Sequence, residues 1–288
     1  MLVRLLSTHE LADAIGVSES SLKRWIDAGR IAASRTEGGH RRVPLGEAMR
    51  FIRDQGAPIA RPELLGLPEI SMDRSRGEGL ITYLLEGNGA AAHGFLAARY
   101  LAGATIASLA DGPIREAMHA LGELWHHDED GIFFEHRGTA VCLHAVSALR
   151  TMLPAPSPDA PAAVGGAPSR DPYLLPSLLA SLAVAEAGIH AINLGPDTPL
   201  AAFAAAVASH GPRLVWMSIT AAPARALARS LVSWFEAVPR EIEVVIGGQH
   251  AHAIDRLPAR VQRAASMTRL GDLAAANLHR RPAVVRPA

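Results

Sequence analysis

The sequence predicts a multidomain protein with a winged helix-turn-helix, then a four-helix bundle, then an α/β domain with a Rossmann-like parallel sheet. Three observations predict this order. Two short helical patterns and a glycine-containing hairpin fill residues 1–56, and apolar residues three and four apart run through residues 69–153. Over residues 161–280, short β-branched runs alternate with alanine-rich helices. Proline-containing stretches at 56–62 and 154–161 are interpreted as linkers.

Composition excludes several classes of protein. The chain has 288 residues, 49% of them hydrophobic and 19% charged, with a formal net charge of zero. Such a balance is typical of a globular protein, so any contact with nucleic acid must come from a local basic patch. No stretch approaches the roughly 20 apolar residues of a membrane span, so we expect a cytoplasmic protein with no membrane partner. Cys142 is the only cysteine, which excludes a disulfide or a cysteine-rich metal site within one chain.

The first domain has the spacing of a helix-turn-helix. Ser7 caps a first helix, ELADAIG, and a tight turn ending at Ser18 leads into a second helix, ESSLKRWIDAG. The following segment, RIAASRTEGGHRRV, is a hairpin turned by two glycines. Between Ser21 and Arg42 there are six Lys or Arg residues and two acidic residues. Positive charge is therefore concentrated in the second helix and the hairpin, where phosphate would be neutralised.

The segment SLKRWIDAGRIAASRTEGGHRRV resembles the recognition helix and wing of MerR and excisionase-type proteins, and GGHRR is specific to that group. The resemblance covers about residues 5–55 and implies double-stranded DNA as the partner. It places three residues in the groove and four on the flanking backbone: Ser21, Lys23 and Arg24, and Arg35, His40, Arg41 and Arg42. Trp25 is interpreted as a residue of the domain core.

The second domain consists of four helical patterns: LITYLLEG, GFLAARYLAG, IREAMHALGELW and FFEHRGTAVCLHAVSAL. Short glycine-containing turns between them predict an antiparallel bundle. Cys142 lies in the apolar run AVCLHAV, so we interpret it as a buried structural cysteine. A thioether link from Cys142 to a bilin is the alternative.

In the third domain, LGPDTP (194–199), SIT (218–220) and GGQH (247–250) each follow a predicted strand. Ligands of open parallel sheets bind outside the carboxyl ends of the strands. The three segments, in this order after a helical bundle, resemble the Rossmann-like cobalamin-binding domain. The resemblance implies a slot for the nucleotide tail lined by Ser218, Thr220, Gly247 and Gly248, and makes Gly195 and Thr198 cofactor-binding candidates.

The bundle carries a second match. Trp125-His126 is followed nine residues later by Glu135-His136, and this W-x9-EH pattern resembles that of the light-sensing regulators CarH, CarA and LitR. The resemblance extends over essentially the whole chain. It implies that Trp125, Glu135 and His136 lie over the upper face of a cobalamin, where adenosylcobalamin carries its adenosyl group in the dark.

One segment departs from this family. The family places E/D-x-H-x-x-G after the first strand, and its histidine ligates cobalt from below. The equivalent residues here are 171–176, which we interpret as a stiff loop, with Tyr173 at the histidine position and Pro176 at the glycine position. A phenol with a pKa near 10 is a poor cobalt ligand. Three outcomes stay open. The first is cobalamin ligated from above by His126 or another bundle histidine, and the second is a bilin or a haem whose iron His126 ligates. In the third, the domain binds no ligand and serves as a platform for protein partners.

The sequence therefore predicts a DNA-binding transcriptional regulator, a repressor, whose C-terminal module senses a tetrapyrrole, with light as a possible signal. Because one winged helix reads only a short half-site, we expect a homodimer or homotetramer. No P-loop, zinc motif or nucleophile constellation is visible, so we expect no enzymatic activity. The alternatives are a ligand-free regulator controlled by protein partners and a corrinoid-carrying enzyme subunit.

Overall fold

The structure is a computed structural model that describes residues 4–67, 79–124 and 131–278. The chain divides into two compact units, residues 1–155 and 156–288. The division falls within the predicted proline-rich linker, and the first unit contains both the winged helix and the helical part. Each unit is treated separately below.

The first unit begins with a winged helix. Its elements are β1 (Leu5–Ser7), α1 (Thr8–Ile15), α2 (Glu19–Asp27), β2 (Ser34–Arg35), β3 (Arg41–Pro44) and α3 (Leu45–Gln55). The strands form an antiparallel sheet in the order β1-β3-β2. Ser7 and Glu10 form a reciprocal capping box at the start of α1, as the sequence predicts. The core beneath the helices is fully buried and includes Leu11, Leu22 and Met49.

The residues after α3 do not form the linker that the sequence predicts. The backbone N–H groups of Ala60 and Arg61 both donate to the carbonyl of Ala14, at 2.8 and 3.1 Å. A 3-10 turn follows at Pro62–Leu65, and Leu65 and Leu67 are buried. Proline is tolerated in the first turn of such a segment because its missing N–H needs no partner there. The apolar leucines therefore hold this stretch against the winged helix.

The helical part comprises α4 (Leu80–Glu86), α5 (Gly89–Leu101), α6 (Ile106–Leu109), α7 (Arg115–Leu124) and α8 (Gly131–Leu149). A π-helical turn, Ala110–Ile114, joins α6 to α7, so these two helices and the turn make one kinked segment. Gly112 is non-helical at the kink, and Pro113 cannot donate a backbone hydrogen bond there. Helices α4, α5 and α7 pack on α8, which gives the four helical segments predicted from the sequence.

The second unit is an α/β domain. Its elements are β4 (Ala162–Gly166), α9 (Leu174–Glu186), β5 (His190–Asn193), α10 (Leu200–His210), β6 (Leu214–Ser218), α11 (Arg225–Ala237), β7 (Glu243–Gly247), β8 (Val261–Arg263) and α12 (Met267–Leu278). All five strands are parallel, in the order β5-β4-β6-β7-β8. The predicted Rossmann-like sheet is confirmed.

Helices cover both faces of this sheet. Helices α9 and α12 pack on one face with Trp216 at its centre, and α10 and α11 pack on the other with Phe203 and Phe235. The chain leaves β4 toward α9 on the first face and leaves β6, the neighbouring strand, toward α11 on the second. This reversal is a topological switch point, where open α/β sheets form a crevice that binds ligands.

Candidate functional site

The predicted groove residues lie on α2. Ser18 caps this helix by accepting the backbone N–H of Ser21 at 3.2 Å. Lys23 forms an ion pair with Glu19 at 3.0 Å, one helical turn away. Arg24 is exposed, lies 3.2 Å from the Ser21 hydroxyl and forms no ion pair within the described residues. Of these predicted residues, Arg24 presents the most accessible positive charge.

An ion pair joins the wing, formed by β2 and β3, to α2. Nη2 of Arg41 on β3 donates to Oδ1 and Oδ2 of Asp27 at 2.7 and 2.9 Å, and Arg35 on β2 lies 4.0 Å from the same carboxylate. His40 is exposed at the tip, and Arg42 is partly exposed on β3. Arg41 therefore positions the wing, and its charge is largely met within the protein. Asp27 is a residue that the sequence interpretation missed.

Trp25 has a structural role in this domain. Its ring lies 5.3 Å from that of Phe51 on α3, and the Arg30 guanidinium lies 5.6 Å from its centroid. These contacts join α2 to α3. The predicted packing role of Trp25 agrees with this geometry.

These positions separate two effects on DNA binding. The resemblance implies a base-edge contact for Arg24, so we expect Arg24→Ala to weaken binding to the preferred sequence by about 1–3 kcal/mol. It implies a phosphate contact for Arg42, so Arg42→Ala should weaken binding to all sequences and reduce the salt slope by about 1. Gel shifts over a salt series measure both effects. Arg229→Ala, an exposed arginine on α11, is the matched control; equal losses for Arg24 and Arg229 would contradict the assignment.

At the switch point of the second unit, Asp171 joins the loops after β4 and β6. Its side chain is 2% exposed, and Oδ2 accepts the backbone N–H groups of Thr220 and Ala221 at 2.5 and 2.9 Å. Oδ1 accepts the N–H of Tyr173 at 3.3 Å. A buried carboxylate that meets three backbone donors fixes the crevice between the two strands.

The loop after β5 is bonded into the same edge. The N–H of Asp197 donates to the carbonyl of Asp171 at 2.8 Å, and the N–H of Arg170 donates to Oδ1 of Asp197 at 2.6 Å. Arg170 and Asp197 have φ values of 68° and 49°, in the left-handed region that residues with a Cβ rarely adopt. Strained backbone of this kind persists where the surroundings hold it and is concentrated at functional sites.

The loop after β7 completes the edge. Gly248 has a φ of 102°, and a Cβ there would stand 2.5 Å from the carbonyl oxygen of Ile219. The backbone N–H of His250 donates to that carbonyl at 2.9 Å, and Nδ1 of His250 lies 2.7 Å from the carbonyl oxygen of Thr220. His250 is another residue that the sequence interpretation missed. Its position two residues after Gly248, in the segment GGQH, was the available signal.

The predicted cofactor residues of this unit differ in what they offer. The buried Thr198 hydroxyl is 3.3 Å from the carbonyl oxygens of Leu194 and Gly195, so it holds its own loop. Ser218 is buried at the end of β6, and Gly247 ends β7. The Thr220 hydroxyl oxygen is buried and has no hydrogen-bond partner within the described residues. A buried hydroxyl without a partner is costly, which makes Thr220 a candidate contact for a ligand.

Tyr173 is the residue that precedes α9 and is 53% exposed. Its neighbour Leu174 begins the helix and is 39% exposed. The predicted stiff loop at 171–176 is therefore wrong in its second half. Pro176 lies in the first turn of α9, where the helix has no backbone donor to lose.

Of the predicted cap residues, Trp125 and His126 lie outside the described residues. Glu135 and His136 lie on the first half of α8. Oε2 of Glu135 is 3.4 Å from Nε2 of His136, and the His136 side chain is exposed. Glu135 accepts a hydrogen bond from the Thr139 hydroxyl at 3.1 Å. Ile132 and Phe133 on the same helix are large exposed apolar side chains.

Cys142 is fully buried in α8, which confirms its interpretation as a core residue. Burial raises the pKa of its thiol to about 12. The reactive thiolate is then scarce near neutral pH. We expect thiol reagents to leave the folded protein unmodified at pH 8 and to modify Cys142 in urea, as measured by mass spectrometry. Stoichiometric labelling, or covalent attachment of a bilin, in the folded state would contradict this prediction.

No helix within the described residues has the length and hydropathy needed to cross a membrane. A family of helix-turn-helix domains matches residues 5–56. No curated protein matches the chain significantly.

The monomethylamine corrinoid protein of Methanosarcina barkeri aligns over 68% of this chain and 95% of its own, with a TM-score of 0.54 and 14% identity. That likeness shows a shared fold. A cobalamin-binding protein of Desulfitobacterium hafniense DCB-2 aligns over 69% of this chain and 96% of its own, with a TM-score of 0.35 and 15% identity. The methanol:cobalamin methyltransferase complex MtaBC of Methanosarcina barkeri aligns over 91% of this chain and 92% of the matched chain, with a TM-score of 0.38 and 14% identity.

Proposed function

We propose that this protein is a transcription regulator that binds duplex DNA through its winged helix and a corrinoid at the carboxyl edge of its parallel sheet. The observation that carries the proposal is the pairing, in one chain, of a helix-turn-helix domain with the fold of a corrinoid protein. Neither half alone favours a sensor over a plain DNA-binding protein or a plain carrier.

The residues at the edge fit such a ligand in two respects. The buried Thr220 hydroxyl needs a polar partner, and amide side chains around a corrin ring supply both donors and acceptors. Gly248 brings the backbone of the β7 loop against that of the β6 loop, so no side chain stands over the crevice at this point. When bound, a corrinoid supplies cobalt-centred chemistry and, in its adenosyl form, a light-sensitive bond. Thr220 and the loops after β6 and β7 would hold it.

The protein's part in the response would be to couple occupancy to DNA binding. A ligand shifts an equilibrium only through different affinities for two states of the protein. In our proposal those states are two assembly states of the protein. One of them is a homodimer or homotetramer that places two winged helices on adjacent half-sites. Repression, with adenosylcobalamin and light as the signals, is the form of this proposal that the resemblance to CarH-type regulators favours. The proposal assigns no catalytic activity to the chain.

The test is a titration of the full-length protein with hydroxocobalamin and adenosylcobalamin, followed by absorbance and by gel shifts in darkness and after illumination. The proposal expects saturable binding of at least one corrinoid and a change in DNA affinity on binding. Corrinoid binding with no effect on DNA would favour a carrier subunit. Binding of haem or a bilin instead would identify another tetrapyrrole, and DNA binding that ignores every tetrapyrrole would favour a ligand-free regulator.

A further inference from the structure

The inference concerns His250, which the resemblance does not assign to any role, and it rests on the proposed function. Its backbone N–H is bonded to the Ile219 carbonyl, and its Nδ1 to the Thr220 carbonyl at 2.7 Å. Two bonds thus hold one residue, through its backbone and its ring, against the loop after β6. The imidazole is fixed at the carboxyl edge before any ligand arrives.

The bond at Nδ1 decides which ring nitrogen is available. A carbonyl oxygen only accepts hydrogen bonds, so Nδ1 must carry the proton. In the neutral ring, Nε2 then keeps its lone pair. An imidazole anchored through Nδ1 to a backbone carbonyl is the arrangement that orients metal-binding histidines in proteins.

The position of this imidazole also matters. The N–H of Thr220 donates to Asp171, and its carbonyl oxygen accepts the hydrogen bond from Nδ1 of His250. Its hydroxyl is buried and has no hydrogen-bond partner among the described residues. Asp171 in turn accepts the N–H of Tyr173. Hydrogen bonds through Thr220 and Asp171 therefore connect the His250 ring to the loop where Tyr173 replaces the expected histidine. The same edge that lacks an imidazole at residue 173 has one at residue 250.

We infer that Nε2 of His250 is the sheet-side ligand of the metal in a bound metallotetrapyrrole. Cobalt in a corrinoid and iron in a haem both accept a neutral imidazole nitrogen. Tyr173, exposed at the start of α9, then packs beside the ring system without ligating the metal. The inference gives this chain a metal ligand from the loop after β7 in place of one from the loop after β4.

The experiment compares wild type with His250→Asn and His252→Asn in the full-length protein. The asparagine Nδ2 lies where Nδ1 of the imidazole lies, so it can still donate to the Thr220 carbonyl, while the nitrogen at the Nε2 position is removed. His252 is the matched control because its exposed ring lies 6.0 Å from that of His250. Each variant is titrated with hydroxocobalamin and, separately, with hemin. Thermal melting monitors folding, and absorbance and electron paramagnetic resonance of the Co(II) or Fe(III) form monitor ligation.

We expect a nitrogen-ligation signature in wild type and in His252→Asn. In His250→Asn we expect loss of this signature and at least a tenfold weaker affinity, roughly the smallest change seen for a group that orients a metal site. The titration that shows this pattern, with hydroxocobalamin or with hemin, identifies the metal as cobalt or iron. A His250→Asn protein that keeps both the signature and the affinity would overturn the inference alone. Wild type that binds neither compound would overturn the inference, and wild type that also fails to bind adenosylcobalamin would overturn the proposed function with it.

Discussion

Asp171→Ala is expected to lower the free energy of unfolding of the second unit by about 3 kcal/mol and to abolish ligand binding at the carboxyl edge. The carboxylate is buried and accepts three backbone N–H groups, from Tyr173, Thr220 and Ala221. Each donor left without a partner costs about 1–3 kcal/mol, reduced where water can enter the gap. The loops after β4 and β6 would also separate, because the same side chain joins them.

Urea unfolding followed by circular dichroism measures this loss. Asp171→Asn should be intermediate, because its amide oxygen still accepts while its amide nitrogen faces backbone donors. Asp159→Asn, an exposed aspartate before β4, is the matched control and should be neutral. A stability of Asp171→Ala within about 0.5 kcal/mol of wild type, the usual range for surface substitutions, would show that the carboxylate does not hold the crevice.

Gly165→Ala is the second change with a large expected effect. Gly165 on β4 pairs with Trp216 on β6, and a Cβ there would lie 2.0–2.4 Å from three atoms of the indole ring. Trp216 is 1% exposed in a close-packed layer and has no room to withdraw. We expect a loss of about 3 kcal/mol or more, at the upper end of what overpacking costs.

A double-mutant cycle tests this cause. Trp216→Leu removes the ring and leaves a cavity, so it is destabilising alone, but it should make Gly165→Ala nearly neutral in its presence. Gly122→Ala controls for the glycine substitution itself. Gly122 lies within α7, and no described residue comes within 4 Å of an added Cβ, so alanine should stabilise by up to about 1 kcal/mol. Additive losses in the cycle would exclude the contact with the ring as the cause.

The central strands of the second unit were predictable because almost all of their residues are buried. RLVWMSIT and EVVIGG contain the continuous apolar runs LVWM and VVI, as expected of strands covered on both faces. Strand β8 was not predicted, since VQR contains a single apolar residue and lies at the edge of the sheet. Pro176 led to an error of another kind. It was interpreted as part of a loop, although the first turn of a helix accepts proline.

The candidate site was only partly predictable. Sequence motifs located the carboxyl edge, and Gly248 and Thr220 were among the residues named there. The roles of Asp171 and His250 depend on hydrogen bonds between loops 49 and 30 residues apart in the chain. The periodicity of the sequence does not reveal such pairs, because they can be predicted only after the order of the strands is known. The ion pair between Asp27 and Arg41 was hidden for the same reason, since an isolated sequence shows charge but not its partner.

Most of the bonds that join the loops at the carboxyl edge use backbone atoms, with Asp171, Asp197 and His250 as the side-chain exceptions. A frame built in this way is insensitive to the identity of the other side chains that project from it. Tyr173 contributes only its N–H to the frame, so histidine and tyrosine can be exchanged there without rebuilding the loop. The chemistry of this edge can thus change by single substitutions while its shape is inherited unchanged.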